Sequence, residues 1–164
     1  MAFFKKRVNV TDYCGANLAT LFAKERETTW DEVLVRFSEV RFAEADKKLY
    51  HNNLRAIMTE LMLIAITKTY IWKKPRVSSD ARDFVMKYFD EYGLKEINSL
   101  CGEYNQAFGS SSIDGVAMMV RLFSSKFAHC NPGEQLLKQL HLEFYGMLNV
   151  FYDDLRSIRL LPAK

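Results

Sequence analysis

Hydrophobic residues recur along most of this chain at spacings of three and four, which is the period of an amphipathic α-helix. Long runs of β-branched residues with strict alternation are absent, and no Pro/Gly-rich linker divides the chain. A length of 164 residues suits one compact domain. The pattern therefore predicts a single all-α domain over residues 1–164, a bundle of six to seven helices, with residues 1–10 as a loose N-terminal segment.

The first of two long predicted helices covers about residues 46–73. It should end before Pro75, because proline disfavours helical geometry in the residue that precedes it. Between Ala56 and Ile66 this helix is apolar on nearly every side. A helix of that kind needs other helices around it, so we expect it to form the centre of the bundle.

The second long helix is predicted over about residues 132–160, with Asn131 and Pro132 as its N-cap and first helical residue. Its apolar stripe includes Phe144, Met147 and Phe151. Gly146 lies inside this helix, where glycine costs roughly 1 kcal/mol relative to alanine. A close helix crossing at this glycine would account for it.

Shorter helices are predicted from their end signals. Thr29 and Glu32 have the spacing of a capping box, which marks a helix start. Ser79 or Asp80 is a predicted cap for a later helix, and Gly93 is a predicted C-terminal stop for the same helix.

Composition and charge narrow the classes of partner. Aromatic residues make up 13% of the chain and are expected mainly in the core, and the net charge is only +3. The densest basic and aromatic cluster surrounds Trp72, Lys73 and Lys74, and cations at a helix C-terminus are its simplest interpretation. With so small a net charge, nucleic acid is not expected as a partner. A membrane is not expected either, because the longest apolar run is too short to span one.

Catalytic and metal-binding patterns are missing from the sequence. Each of the three histidines has a lysine three residues before it, where the Glu-x-x-His pattern of di-iron bundles needs glutamate. Three cysteines without a C-x-x-C pair indicate a reduced, cytoplasmic chain. A Cys130–His141 pair is the nearest approach to a nucleophilic arrangement, and a structural thiol is the simpler interpretation of Cys130. No catalytic residue, metal site or cofactor is predicted.

Glu60 is the most informative single residue, because apolar residues flank it in the central helix. Enclosed there, its carboxyl would need a basic partner or would have a raised pKa. Whether it is buried and ionised stays open at this point. We consider it as the polar contact of a ligand pocket between the long helices. The other predicted lining residues are Met58, Met62, Phe144, Met147 and Phe151.

Ser110, Ser111 and Ser112 form a candidate anion site, since they precede a helix whose first N–H groups are unpaired. Asp114 weakens this hypothesis, because its charge in the first turn would repel a phosphate. An ordinary N-cap loop is the simpler interpretation.

Two hypotheses for function follow. The first is a non-enzymatic module for protein–protein interaction that associates with a protein partner or with itself, as a homodimer built on a long helix. The alternative is a carrier or sensor of a small apolar ligand, held in a pocket between the long helices.

Overall fold

The computed structural model describes residues 5–38, 41–127 and 133–163. Within these ranges the chain forms seven α-helices and two short strands, which confirms the predicted all-α bundle. In chain order the elements are β1 (Lys6–Asn9), α1 (Val10–Glu27), α2 (Trp30–Arg36), α3 (Asp46–Tyr70), α4 (Pro75–Glu91), α5 (Lys95–Gly109), α6 (Gly115–Ser125), α7 (Glu134–Ser157) and β2 (Ile158–Leu161).

Helix α3 is the centre of the bundle, as its apolar pattern predicts. It spans 25 residues, and every residue from Ala56 to Ile66 is buried. Helices α4, α5 and α7 pack most extensively against it, and α1 covers a further part of its surface. Burial on all sides explains why this stretch lacks a polar face. Among the described helices, none is both long enough and apolar enough to cross a membrane.

Two of the predicted helix ends are confirmed in atomic detail. The Thr29 hydroxyl accepts a hydrogen bond from Glu32 N, and Thr29 N donates to the Glu32 carboxylate, which completes the capping box of α2. Gly93 follows α4 with a φ of 68°. That left-handed conformation favours glycine, so the position ends the helix as expected.

Two predicted boundaries are corrected. Helix α4 begins at Pro75 and not at Ser79 or Asp80. Proline fits a first helical turn because its missing N–H has no partner there anyway. Helix α7 ends at Ser157, three residues before the predicted Leu160. The predicted cap pair Asn131 and Pro132 lies outside the described residues.

The N-terminal segment is not loose where the structure describes it. Strand β1 pairs in parallel with β2, so that Lys6 lies beside Ile158 and Asn9 beside Leu161. Asn9 also accepts from Thr11 N as the N-cap of α1, and its amide donates to the carbonyl of Pro162 at 3.2 Å. Each strand has only four residues, which is too few for an alternating pattern to be recognised in the sequence. The pairing also joins segments from opposite ends of the chain.

Candidate ligand-binding cavity

A cavity lies between α1 and α7 and extends inward to the central helix α3. Both helices pack on α3 but make few contacts with each other. The gap between them has a volume of about 450 Å³ and is open to solvent along one side. That volume falls within the roughly 300–1,000 Å³ typical of small-molecule sites.

Aromatic and methionine side chains form the floor of the cavity. The rings come from α3, α6, α7 and the residue that follows α2, and they are Tyr50, Phe123, Phe144, Phe151 and Phe37. Tyr50 and Phe123 contact each other edge-on, as do Phe123 and Phe144. Met58 and Met147 complete the floor with flexible side chains, which adapt readily to the shape of an apolar ligand.

Four of the six residues predicted for a pocket line this cavity: Met58, Phe144, Met147 and Phe151. Met62 is fully buried beneath the floor and does not reach the cavity. Glu60 is also absent from the lining. Because each helical residue turns by about 100°, Glu60 projects about 200° away from Met58, toward α4.

The polar rim of the cavity was not predicted from the sequence. Asn17, Thr20, Lys24 and Thr28 follow one line along α1, spaced by three or four residues. At one end Arg36 forms an ion pair with Glu143 of α7. The regular spacing of the α1 residues is a signal that sequence reasoning could have used, whereas the Arg36–Glu143 contact joins distant segments.

Glu25 lies at the inner edge of the cavity and is already neutralised. Its carboxylate accepts hydrogen bonds from Arg55 Nε at 2.9 Å and Arg55 Nη2 at 2.6 Å. It also forms an ion pair with His51, whose ring contacts Trp30 and Tyr50. His51 and Arg55 are one helical turn apart, so α3 presents both side chains to one carboxylate. This cluster joins α1 to α3 and leaves Glu25 without capacity for a ligand.

Glu60 is fully buried and has a basic partner. Arg82 Nη2 lies 2.7 Å from Glu60 Oε1, and Arg82 Nη1 lies 3.3 Å from Glu60 Oε2, which makes the contact bidentate. Burial raises the pKa of the Glu60 carboxyl, while the hydrogen bonds and charge of Arg82 act in the opposite direction. The pair joins α3 to α4 on the side away from the cavity, so its role is structural.

The candidate anion site at the serines is filled by the chain itself. Ser110 Oγ donates to the carbonyl of Ala107, and Ser111 Oγ accepts from Asp114 N. Asp114 is the N-cap of α6 and not a first-turn residue, and it accepts from Ala117 N at 2.9 Å. No hydrogen bond of Ser112 is among the described contacts. The Asp114 carboxylate therefore occupies the position that a bound anion would take.

The thiols of Cys14 and Cys101 are buried, and burial makes them unreactive. Burial raises the pKa of Cys14 to about 12 and raises that of Cys101 well above its ordinary value, so neither ionises near neutral pH. Within the described ranges, no three His, Cys, Asp or Glu side chains are grouped to hold a metal ion. His129 and Cys130 lie outside the described residues, so a Cys130–His141 pair stays untested.

Comparison of this chain with known protein families, curated proteins and solved structures finds no significant match. Its function is therefore inferred from the geometry of the cavity and of the surface.

Proposed function

We propose that this protein binds a small, elongated apolar molecule in the cavity between α1 and α7 and acts as its carrier or sensor. The observation that carries the proposal is an open, aromatic-lined space of about 450 Å³ beside the buried hydrophobic core. Apolar side chains around an unfilled space lose van der Waals contacts that an apolar ligand would restore. A ligand of this kind would gain affinity mainly from burial.

The shape and rim of the cavity indicate the class of ligand. From Asn17 to Thr28 the rim follows α1 over a length of about 16 Å, at 1.5 Å per residue. The floor consists of aromatic rings and methionine side chains, while the rim along α1 carries polar residues. This arrangement suits a linear aliphatic or fused aromatic molecule whose polar end, where it has one, remains at the solvent-exposed rim.

Binding can be tested with N-phenyl-1-naphthylamine, a neutral fluorophore that brightens in apolar surroundings. We expect saturable binding with one probe per chain. A Met147→Trp variant should weaken binding at least tenfold, because the larger ring fills the cavity from α7. Met86→Trp is the matched control, since Met86 is exposed on α4 and does not line the cavity.

The fluorophore experiment has clear opposing outcomes. Thermal denaturation should show that both tryptophan variants fold. Non-saturable fluorescence, or equal affinity in the wild-type protein and both variants, would contradict a binding site in this cavity.

A second candidate function is self-association through the exposed face of α7. Leu142 is 71% exposed, and Tyr145 and Val150 are also exposed on this face. Nothing in the described part of the chain lies within 4 Å of a Cβ atom placed on Gly146, so the predicted close crossing does not occur there. An antiparallel copy centred on Gly146 would set Leu142 against Val150 of the other copy.

Charge also favours this antiparallel arrangement. The same two-fold axis sets Lys138 of one copy near Asp154 of the other. We expect sedimentation equilibrium to show a dimer that Leu142→Glu converts to monomer. Val35→Glu is the control, because it places the same charge on an exposed apolar residue of α2, away from α7. A monomeric wild-type protein at high concentration would refute this second candidate.

A further inference from the structure

The exposed face of the two-stranded sheet carries two arginines side by side. Arg7 of β1 lies opposite Arg159 of β2 in the parallel register, and both side chains are exposed. Neighbouring strands are about 4.8 Å apart, and opposing residues project from the same face. Like charges in this position repel each other, so the arrangement does not stabilise the fold.

A third cation joins the pair from the turn between α3 and α4. Lys74 Nζ donates to the carbonyl of Leu160 at 3.1 Å, while Tyr70 accepts a hydrogen bond from Leu160 N. These two contacts fix the end of α3 against the edge of β2. Loss of solvation and the charges of Arg159 and Arg7 together lower the pKa of Lys74, which agrees with three cations close together.

We name this group, Arg7, Lys74 and Arg159, the cationic end. Among the described residues, none of the three forms an ion pair with a carboxylate. Two partly buried arginines of the bundle are paired instead, Arg55 with Glu25 and Arg82 with Glu60. The cationic end is therefore available to an external anion.

Large apolar side chains project from the same turn. Trp72 is 92% exposed and the adjacent Ile71 is 44% exposed, while Lys73 follows them at the surface. Trp30, in contrast, is buried among other rings. An indole that contacts so little of its own fold gains packing only from something outside it.

The geometry points to the surface of an anionic lipid bilayer as the binding partner of this end of the bundle. Trp72 and Ile71 would enter the headgroup region, where tryptophan is favoured, and the cationic end would face lipid phosphates. Ile71 gives area for insertion but has no ring for base stacking. Single-stranded nucleic acid fits this surface less well, because proteins that bind it present successive aromatic rings on which the bases stack.

Cosedimentation of the full chain with lipid vesicles tests this inference. Vesicles of phosphatidylcholine with about one third phosphatidylserine should bind the protein, and vesicles of phosphatidylcholine alone should not. Added salt should release the bound protein, because it screens the attraction. Emission from Trp72 should shift to the blue on binding, while the buried Trp30 contributes an unchanging background.

Two variants and one control separate insertion from charge. We expect Trp72→Ala, and separately the double variant Arg7→Gln/Arg159→Gln, to weaken vesicle binding at least tenfold. Both should fold normally, since Trp72 is exposed and the arginine pair is repulsive. The control Arg26→Gln/Arg121→Gln removes the same charge from exposed positions on α1 and α6 and should bind as the wild-type protein does.

Several results would overturn the inference. Equal binding to both vesicle types, or none to either, removes the anionic membrane as partner. A control variant that loses as much affinity as Arg7→Gln/Arg159→Gln shows only a general charge effect. Binding of oligothymidylate that depends on Trp72, without vesicle binding, would assign this surface to nucleic acid. None of these residues lines the cavity, so failure here leaves the ligand proposal standing.

Discussion

Replacement of Arg82 by methionine is expected to lower the free energy of unfolding by about 3–5 kcal/mol. The change leaves the carboxyl of Glu60 fully buried without its bidentate partner. Because burial raises the pKa of Glu60 in the folded state, the variant should also lose stability as the pH rises above the ordinary value of 4.5. The folded carboxyl retains its proton there while the unfolded chain releases it.

Urea denaturation of a double-mutant cycle measures the effect. Glu60→Leu should cost less than Arg82→Met, because the Arg82 side chain is 36% exposed and can turn toward solvent. The double variant Glu60→Leu/Arg82→Met should recover much of the stability that Arg82→Met loses, since no buried charge remains. A loss below about 1 kcal/mol in Arg82→Met would mean that the carboxyl is not enclosed.

Truncation of Ile57 to alanine is the second change with a large expected effect, about 2–5 kcal/mol of unfolding free energy. Ile57 is fully buried near the middle of α3, where helices on several sides leave little room for collapse. Ile113→Ala is the matched control, because Ile113 is 96% exposed in the loop before α6. It should change stability by less than about 0.5 kcal/mol.

Chemical denaturation of the two isoleucine variants, followed by circular dichroism, gives the comparison. If both variants unfold at the same denaturant concentration, α3 does not form the enclosed centre of the bundle.

The central helix and most of the cavity floor could be predicted from local pattern. Ala56–Ile66 is apolar on nearly every side, which favours an enclosed helix. The stripe of Phe144, Met147 and Phe151 faces one side of α7, and Met58 reaches the same space from α3. Helical periodicity fixes the direction of these side chains once the two helices are neighbours.

Features that depend on distant segments could not be predicted in the same way. Glu60 has an apolar environment in the sequence, but its partner Arg82 belongs to another helix. The sequence therefore left open whether the carboxyl contacts a ligand or a basic partner, and it could not identify Arg82 as that partner. The exposed Trp72 shows the same difficulty, because an aromatic-rich composition predicts a core but does not tell which ring lies outside it.

The parallel pairing of β1 with β2 imposes an order on biosynthesis. Asn9 and Pro162, which are hydrogen-bonded, are separated by 153 positions. At roughly 5–20 residues per second on the ribosome, β1 waits roughly 8–30 s for its partner to be made. During that interval the strand has unpaired backbone groups on a nascent chain, where another strand could pair with them. Synthesis of β2 is thus the step that protects the first strand from association with other chains.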